Sequence, residues 1–318
     1  DANMSDIFFR QLGLPEPDIN LEVGSASHAV QTAQIMTAFE QVVGARRPDW
    51  VVVYGDVNST VAAALVCAKL LIPVAHVEAG LRSFDRTMPE EINRLLTDQL
   101  ADLLFTPSAD GDENLRREGV AAEKIQLVGN VMIDTLVRLL PQAEARWPAL
   151  QTRFGLGRFG LVTLHRPSNV DAPDSLRPIL QTLGELSREL PLLFPVHPRT
   201  RQRIAAWGLE AEARAIQFVE PLGYLEFLAL QKAAALVITD SGGIQEETTY
   251  LGVPCLTVRE NTERPITLTH GTNVLVGQDM ARLREESQRI LQDGVPARAA
   301  VPLWDGRAGE RIAGYILA

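Results

Sequence analysis

Short apolar runs alternate with helical patterns along almost the whole chain, and this alternation constrains the fold more than any other feature of the sequence. The runs that predict strands lie at residues 50–54, 73–77, 102–106, 125–128, 159–163, 192–194, 215–218, 236–238 and 254–257. Continuous apolar strands separated by amphipathic helices are typical of βαβ units, in which helices cover both faces of a parallel sheet. The sequence therefore predicts an α/β protein with parallel sheets.

The alternation breaks between Pro141 and Gly160, where proline, tryptophan and glycine cluster, and we interpret this stretch as a linker. The 318 residues are enough for two domains, each with its own core. We expect a Rossmann-like domain at residues 1–146, a second at 147–305, and a C-terminal helix at 306–318 that completes the first domain. Two open α/β halves of this kind predict a cleft where the carboxyl ends of their strands meet.

The start of the chain does not follow the alternation. Residues 1–10 predict an amphipathic helix rather than the first strand of a sheet, and no parallel strand is predicted before Trp50. The first domain is therefore expected to lack its N-terminal βαβ portion, a unit of about 30 residues or more.

The composition and charge exclude several classes of protein. A hydrophobic fraction of 46% and a charged fraction of 22% are those of an ordinary globular protein. The formal charge of -10 disfavours broad electrostatic binding to nucleic acid or to an anionic membrane. The sequence shows no signal peptide and no apolar stretch of membrane-spanning length, so the cytoplasm is the expected location. Cys67 and Cys255 each lie in an apolar run, which predicts buried thiols rather than a disulfide.

Residues 239–247, with the sequence TDSGGIQEE, predict a site for a bound diphosphate. An apolar strand leads into this stretch, and a helical pattern follows at 244–251. Ser241 suits a helix N-cap, and Gly242 and Gly243 would let an anion approach the backbone N–H groups at the positive end of the helix dipole.

Two consecutive carboxylates, Glu246 and Glu247, follow these glycines. The alternative to a ligand site is an ordinary capped helix after a strand. One carboxylate in the first turn is enough to support the helix dipole, so the second favours a ligand hydroxyl as its partner.

A glycine pattern at residues 155–160 matches the G-x-G-x-x-G fingerprint of dinucleotide-binding proteins. It precedes a predicted strand, whereas the fingerprint has to follow a strand and open a helix, so we assign it to the linker and expect no NAD. The sequence also contains no P-loop motif, no HExxH motif and no pair of C-x-x-C motifs. No cofactor or metal ion is therefore expected.

Three carboxylates of the first half lie where parallel α/β folds place functional residues. Asp56 follows the first predicted strand, Glu78 follows the second, and Glu90 opens a helix. Asp56 has an alternative role as an N-cap, and Glu90 as a first-turn partner of a helix dipole. Glu78 has no obvious local role. Three carboxylates that face one cleft are more readily explained as catalytic groups than as helix caps.

In the second half, basic residues follow three of the predicted strands. His165 and Arg166 come directly after a strand and suit contact with phosphate. His197, which precedes Pro198, is interpreted as a turn histidine. Arg264 either clamps an anion in a bidentate manner or pairs with a carboxylate at the surface.

Several motifs occur in a fixed order along the chain: YGD at 54–56, HVEAGLR at 76–82, PEE at 89–91 followed by NR at 93–94, HR at 165–166, DSGGIQEE at 240–247 and TERP at 262–265. Their combination resembles the non-hydrolysing UDP-N-acetylglucosamine 2-epimerases. The resemblance extends over essentially the whole chain, although the Ser-Gly-Gly motif alone also occurs in related glycosyltransferases.

The resemblance implies two Rossmann-like domains of the glycosyltransferase B type, a homodimer, and an isomerase of cell-envelope polysaccharide synthesis that interconverts UDP-GlcNAc and UDP-ManNAc. By motif position, the implied catalytic residues are Asp56, Glu78, Glu90 and His165. The residues implied to bind UDP are Ser241, Gly242, Gly243 and Arg264 at the diphosphate, together with His165, and Glu247 at the ribose hydroxyls.

The implied reaction eliminates UDP across C1–C2 to a glycal and then re-adds it, with the proton delivered to the other face of C2. Such a route needs a general base, a general acid and stabilisation of the departing diphosphate. Which carboxylate acts as acid and which as base stays open.

The sequence departs from the family at its start. The family begins with a strand that leads into a Gly-Thr-Arg-Pro-Glu loop, whose arginine and a following lysine belong to the active site, and this chain contains neither. We therefore expect little or no turnover from the chain as given.

Three alternative functions stay open. A glycosyltransferase of the same fold would use the second domain in the same way, but it gives no role to Glu78. A hydrolysing epimerase would release UDP and free ManNAc, and an inactive UDP-sugar-binding protein would bind without turnover. A substrate such as a UDP-diacetamido-uronic acid is also open, because nothing in the sequence identifies the substituents at C3 and C6 of the sugar.

Overall fold

The computed structural model describes residues 13, 15–294 and 300–318, which belong to two compact units. The first, called here the four-stranded unit, consists of Pro15–Asp134 and Pro302–Ala318, and the second, the six-stranded unit, includes Thr135–Val301. The domain boundaries at 146/147 and 305/306 stay a prediction. The helix expected at 1–10 lies outside the described residues.

The described residues form ten strands and fifteen α-helices, with a 3-10 turn at Ala122–Lys124. The strands are β1 (Val51–Tyr54), β2 (Val74–Val77), β3 (Leu103–Thr106), β4 (Ile125–Leu127), β5 (Gly160–Thr163), β6 (Leu192–Pro195), β7 (Gln217–Val219), β8 (Leu236–Thr239), β9 (Cys255–Thr257) and β10 (Asn273–Leu275). The helices are α1 (His28–Ala45), α2 (Asn58–Leu70), α3 (Pro89–Leu100), α4 (Ala109–Arg117), α5 (Val131–Glu144), α6 (Trp147–Phe154), α7 (Pro167–Val170), α8 (Pro173–Leu186), α9 (Pro198–Ala206), α10 (Glu210–Ala213), α11 (Tyr224–Ala233), α12 (Gly242–Leu251), α13 (Ile266–Thr269), α14 (Met280–Asp293) and α15 (Ala308–Leu317).

The sheet of the four-stranded unit is parallel throughout, in the order β1-β2-β3-β4. All four residues of β2 are buried, as expected for an inner strand of a sheet that is covered on both faces. On one face Val74 packs with Cys67 of α2, and on the other Ala75 and Phe105 pack with Ile312 of α15. The C-terminal helix therefore belongs to the core of this unit.

The sheet of the six-stranded unit is also parallel, in the order β10-β9-β8-β5-β6-β7. The chain proceeds outward from β5 to β7, returns to β8 beside β5, and then proceeds outward in the opposite direction to β10. Helices cover both faces, with Leu176 and Leu283 in one core and Leu136 and Leu228 in the other. In this doubly wound topology the order reverses between β5 and β8, which is where such sheets bind ligands.

The predicted α/β class with two parallel sheets is confirmed, and the main addition is β10, which the sequence analysis did not identify. The structure also corrects the linker, because α5 and α6 occupy most of the stretch between Pro141 and Gly160. Pro141 lies inside α5, and Pro148 lies in the first turn of α6, where proline is tolerated because its missing N–H would have no intrahelical partner. Trp147 stacks on Phe159 at a ring distance of 5.9 Å, so this segment is part of a core.

The glycine pattern at 155–160 connects α6 to β5 and does not open a helix, as predicted. Gly155 is the left-handed C-cap of α6, and Gly160 is the first residue of β5. His197 caps α9, where its Nδ1 accepts a hydrogen bond from the Arg199 backbone N–H, in agreement with its interpretation as a turn histidine.

Both cysteines are buried free thiols, as predicted, and burial raises the pKa of Cys67 and of Cys255 to about 11. Within the described part of the chain, none of the helices has the length and apolar character needed to cross a membrane. The same residues contain no group of three or more His, Cys, Asp or Glu side chains arranged to hold a metal ion.

Candidate functional site

Asp240 organises the switch point of the six-stranded sheet from the end of β8. Its carboxylate is fully buried and accepts hydrogen bonds from the backbone N–H groups of His165 and Arg166, which follow the neighbouring strand β5. The Asn169 side chain donates a further hydrogen bond at 3.0 Å. Burial acts to raise the pKa of Asp240, but these hydrogen bonds and the neighbouring His165 hold it below its ordinary value. Asp240 lies within the DSGGIQEE motif, but its role in holding the loop after β5 depends on contacts that the motif does not specify.

His165 projects its ring toward solvent from this anchored loop. Its Nδ1 lies 2.9 Å from Asp240 Oδ1, and 59% of its side chain is exposed. An imidazole that is oriented through one ring nitrogen and exposed elsewhere can present its other nitrogen to a ligand. The geometry thus suits either proton transfer or contact with phosphate.

The helix α12 begins directly after Ser241, which occupies the N-cap position without a side-chain capping hydrogen bond. Gly242 and Gly243 form its first turn, so the predicted helix starts two residues earlier than expected. A Cβ at Gly242 would lie 2.7 Å from Nη1 of Arg264 and 2.8 Å from Oε1 of Glu263. Glycine is favoured here because a guanidinium packs against the start of the helix and would have to shift to admit a Cβ, a reason that the sequence did not reveal.

Arg264 is held by two buried carboxylates, and its contact with an anion stays a prediction. Its Nε lies 2.9 Å from Glu246 and its Nη1 donates to Glu263 at 2.6 Å. Glu263 also accepts a hydrogen bond from Arg259 at 2.7 Å, and Arg166 lies 3.9 Å away. Burial acts to raise the pKa of Glu263, yet Arg264 and Arg259 lower it to about 2. Three arginines, Arg166, Arg259 and Arg264, thus gather around these carboxylates, and Arg264 lies beside the helix start, where a guanidinium suits an anion.

Glu246 and Glu247 differ in environment although they are consecutive in sequence. Glu246 forms an ion pair with Arg264. Glu247 is 3% exposed, and its Oε1 accepts a hydrogen bond of 2.9 Å from the Tyr224 hydroxyl. Burial raises the pKa of Glu247 to about 7. Tyr224 is a residue that the sequence analysis missed, because it lies 23 positions away on α11.

In the four-stranded unit, Asp56 follows β1 and is held by α3. Nε and Nη2 of Arg94 lie 3.0 and 2.9 Å from Asp56 Oδ2, and Asn93 donates to the Asp56 backbone carbonyl. Arg94 also pairs with Glu91, a buried carboxylate that accepts hydrogen bonds from the backbone N–H and hydroxyl of Ser83. The Asp56 side chain remains 31% exposed, so it is oriented but accessible.

Glu78 follows β2, the neighbouring strand, and has a left-handed backbone with φ of 70°. Non-glycine residues adopt this conformation at a cost of about 1–3 kcal/mol and are concentrated at functional sites. A Cβ placed on Gly55, the residue before Asp56, would lie 3.8 Å from Glu78 Oε2. The structure therefore brings Glu78 close to the β1 loop that carries Asp56.

A buried polar network supports the turn that contains Glu78. His76 lies 2.6 Å from Asp98 through Nδ1 and 2.9 Å from the Gly55 carbonyl through Nε2. Arg82 pairs with Asp98 at 2.7 Å and binds Glu118 through two N–H groups. Burial acts to raise the pKa of Asp98, but His76 and Arg82 lower it. His76 and Arg82 thus hold the turn in place through contacts within the protein.

Glu90 lies half-buried in the first turn of α3. It is four residues before Arg94, so both occupy the same face of the helix, and Arg94 contacts Asp56. The described contacts link Asp56 to α3 and place Glu78 near Gly55, the residue before Asp56, but they do not assign a partner to the Glu90 carboxylate. Its catalytic role stays a prediction.

Comparisons with known proteins identify the family. The family model for UDP-N-acetylglucosamine 2-epimerase matches residues 1–317. The UDP-N-acetylglucosamine 2-epimerase of Methanocaldococcus jannaschii is 43% identical over 98% of this chain and 86% of its own length. The UDP-2,3-diacetamido-2,3-dideoxy-D-glucuronate 2-epimerase of Pseudomonas aeruginosa is 42% identical over 99% of this chain and 88% of its own length.

A solved structure agrees with this sequence similarity. The crystal structure of the Methanocaldococcus jannaschii UDP-GlcNAc 2-epimerase, in complex with UDP-GlcNAc and UDP, matches with a TM-score of 0.88 and 42% identity. The match covers 98% of this chain and 87% of that one. The chain therefore belongs to the UDP-N-acetylglucosamine 2-epimerase family.

Proposed function

We propose that this protein is an isomerase that interconverts UDP-GlcNAc and UDP-ManNAc by eliminating and re-adding UDP. The proposal rests chiefly on the conformation of Glu78, whose backbone is left-handed and strained and whose carboxylate lies beside the loop of Asp56. A UDP-sugar-binding protein or a glycosyltransferase has no need to hold two carboxylates in this way. An epimerase needs acid and base groups at the sugar, and strain of this kind is retained where function requires it.

The six-stranded unit supplies the proposed UDP site. The start of α12 at Ser241, Gly242 and Gly243 offers backbone N–H groups, and Arg264 adds positive charge beside Gly242. A helix N-terminus with a neighbouring guanidinium is a favourable site for a diphosphate. Glu247 accepts hydrogen bonds from the ribose hydroxyls in this proposal.

The proposed chemistry begins with removal of the C2 proton by a carboxylate. The electron pair of the C2–H bond forms the C1–C2 double bond of a glycal while the C1–O bond breaks and its electron pair leaves with UDP. In the return step a protonated group delivers a proton to the opposite face of C2, and a β-phosphate oxygen of UDP re-forms the bond to C1. Asp56, Glu78 and Glu90 are the proposed acid and base groups.

His165 has a separate role in this proposal, at the leaving group. Its ring donates to Asp240 through Nδ1 and is exposed on the other side, so the protonated imidazolium can also donate from Nε2 to the diphosphate as negative charge develops there. The family resemblance implies a catalytic role for His165, and its position beside Asp240 supports that role.

A second substrate is favoured by a specific observation. The Pseudomonas aeruginosa relative, which is named for a UDP-diacetamido-glucuronate, is 42% identical to this chain, close to the 43% of the Methanocaldococcus jannaschii relative. Both substrates share the UDP group and the acetamido group at C2. Turnover of the two sugars should be compared in the same assay.

We propose further that the protein is a cytoplasmic homodimer whose product supplies cell-envelope polysaccharide synthesis. Apolar side chains on α1 and α3 support the dimer, because Val30, Ile92 and Leu96 are 48%, 38% and 46% exposed. Light scattering of the purified protein measures the mass directly, and a monomer at micromolar concentration would contradict the dimer.

Isotope incorporation tests the reaction. UDP-GlcNAc incubated in D₂O with the full-length gene product should be recovered with deuterium at C2, together with UDP-ManNAc. Glu78→Gln serves as the matched control, because it keeps the shape of the side chain while removing the titratable group. Recovery of both nucleotide sugars without C2 deuterium would rule out the elimination route, and release of free ManNAc would identify a hydrolysing enzyme instead.

A further inference from the structure

One oxygen of the Glu247 carboxylate has a protein partner and the other has none among the described residues. Oε1 accepts the hydrogen bond from the hydroxyl of Tyr224, the first residue of α11. Oε2 is buried without a hydrogen-bond partner within the described ranges. The amide of Gln231 on the same helix lies close to the carboxylate, but its nitrogen and oxygen also lack hydrogen bonds of normal geometry there. A buried carboxylate oxygen without a partner is costly, and a ligand donor would relieve that cost.

Among the residues that the structure describes, no arginine or lysine pairs with Glu247, in contrast to Glu246, which is paired with Arg264. Of the elements that pack against α12, β8, β10 and α13 contain no ionisable side chain. The strand β9 contributes the Cys255 thiol, which is neutral because burial raises its pKa to about 11. The helix α11 contributes Tyr224 and the uncharged Gln231, while its two charged residues, Glu226 and Lys232, pair with Arg153 and Glu144. Among the side chains of these elements, Tyr224 is therefore the ionisable group that acts on the Glu247 carboxylate.

The Tyr224 hydroxyl acts in two ways on Glu247. It donates a 2.9 Å hydrogen bond to Oε1, and this bond fixes the orientation of the carboxylate and therefore the direction of Oε2. It also stabilises the ionised form, and so opposes the desolvation that raises the pKa of Glu247 to about 7. A reciprocal effect is seen on the phenol, whose pKa is raised by burial and by the Glu247 charge.

We propose that Tyr224 is a positioning residue for nucleotide binding, whose hydroxyl holds Glu247 Oε1 so that Oε2 accepts a hydrogen bond from a ribose hydroxyl of UDP. The inference rests on the proposed function, in which this unit binds UDP. It adds a specific consequence: recognition of the ribose hydroxyls depends on a residue of α11 as well as on the motif at the start of α12. It also makes UDP affinity dependent on pH near neutrality, because protonated Glu247 is a weaker acceptor than the carboxylate.

Calorimetry of UDP binding to the full chain from pH 6 to 9 tests this role. At pH 7.5, Tyr224→Phe should weaken UDP binding by roughly 5- to 30-fold, the range expected when a hydrogen bond to a charged group is lost. Binding of 2′,3′-dideoxyuridine diphosphate should change much less, because that ligand has no ribose hydroxyl for Oε2. Tyr250→Phe is the matched control, since it removes a hydroxyl from the exposed end of α12 and should leave both affinities unchanged.

The pH profile provides a second readout. The ratio of wild-type to Glu247→Gln affinity removes the titration of the UDP phosphate, which is common to both proteins. This ratio should rise as the pH increases through about 7, and Tyr224→Phe should move the midpoint to higher pH. In the double variant, Tyr224→Phe should add little to the effect of Glu247→Gln, because the two residues act through one contact.

The outcomes separate the inference from the function on which it rests. Equal weakening of UDP and of the dideoxy analogue by Tyr224→Phe would assign Tyr224 a merely structural role and overturn the inference. An unshifted midpoint, or additive effects in the double variant, would overturn it as well. If the unsubstituted protein binds no UDP at any pH, the proposed function fails and the inference fails with it.

Discussion

The two units hold their candidate functional carboxylates in opposite ways. In the four-stranded unit, Asp56 receives two N–H groups from Arg94 and remains partly exposed. In the six-stranded unit, Glu247 is almost fully buried, has a tyrosine as its hydrogen-bond partner and has a raised pKa. Arginine pairing orients the Asp56 carboxylate, whereas burial beside a neutral donor leaves the charge of Glu247 dependent on pH.

The difference teaches that the acidic motifs of this chain are not equivalent sites. Glu91, Asp98, Glu246 and Glu263 are buried partners of arginines, and they hold loops and guanidinium groups in place. A buried ion pair of this kind is weak evidence for net stability, but removing one partner is strongly destabilising. Substitutions at these four buried carboxylates should therefore affect folding. Substitutions at Asp56, Glu78 and Glu247 should affect ligand binding or turnover.

The largest effect is expected at Glu78, where chemistry rather than folding should fail. Glu78→Gln in the full-length protein should lower turnover by roughly 10²- to 10⁴-fold, because a general acid or base is lost without a change of shape. UDP affinity, measured by calorimetry, should stay within a few-fold of the wild type. A variant that retains wild-type turnover would remove Glu78 from the catalytic groups.

The second effect tests the arginine pairing of the four-stranded unit. Arg94→Ala should destabilise the protein by about 3–5 kcal/mol, because it leaves Glu91 buried without its cation. Chemical denaturation measures the change. Arg117→Ala is the matched control, since its pair with Glu113 is exposed and should contribute less than about 1 kcal/mol. Equal losses in the two variants would contradict the distinction between buried and exposed pairs.

The third prediction contrasts two consecutive glutamates. The pKa of Glu247 is raised in the folded protein from about 4.5 to about 7, so the folded state binds this proton more tightly than the unfolded state. Its contribution to stability is therefore fully present below pH 4.5 and is lost as the pH rises through 7. Glu247→Gln should stabilise the ligand-free protein at pH 8 by up to about 3 kcal/mol and change little at pH 4.5.

Glu246→Gln provides the control for that experiment. It removes the carboxylate that pairs with Arg264, so it should destabilise the protein at pH 8. Thermal unfolding at the two pH values measures both variants. Stabilisation by both substitutions, or by neither, would contradict the proposed difference between Glu246, which is paired with an arginine, and Glu247, which is not.

The smallest effect concerns Gly242. Gly242→Ala places a methyl group against Arg264 and Glu263, whose ion-paired side chains have to shift by a few tenths of an ångström or more. UDP affinity should fall by about tenfold, because the guanidinium leaves its place beside the helix start. Gly44→Ala, at a helix position with open space around it, should instead stabilise the protein by roughly 0.5–1 kcal/mol. An unchanged UDP affinity in Gly242→Ala would show that Arg264 does not contact the diphosphate.

The sequence by itself determined the α/β class and the positions where polar motifs follow strands. These features are local, since strand and helix periodicity, capping and glycine patterns act over a few residues. Asp56 and Glu78 were predicted at strand ends and lie there, after β1 and β2. The stretch at 141–160 shows the limit of the same reasoning, because packing of Trp147 on Phe159 outweighs the prolines that suggested a linker.

Only the tertiary structure decided which carboxylates are buried in ion pairs with arginines and which are not. Asp240 contacts His165 across 75 positions, Arg94 contacts Asp56 across 38, and Arg82 contacts Glu118 across 36. No local pattern specifies such partners, because each contact depends on which strands become neighbours in the sheet. The different pKa directions of Glu263 and Glu247 follow from the same cause: the fold brings arginines to one and a tyrosine to the other.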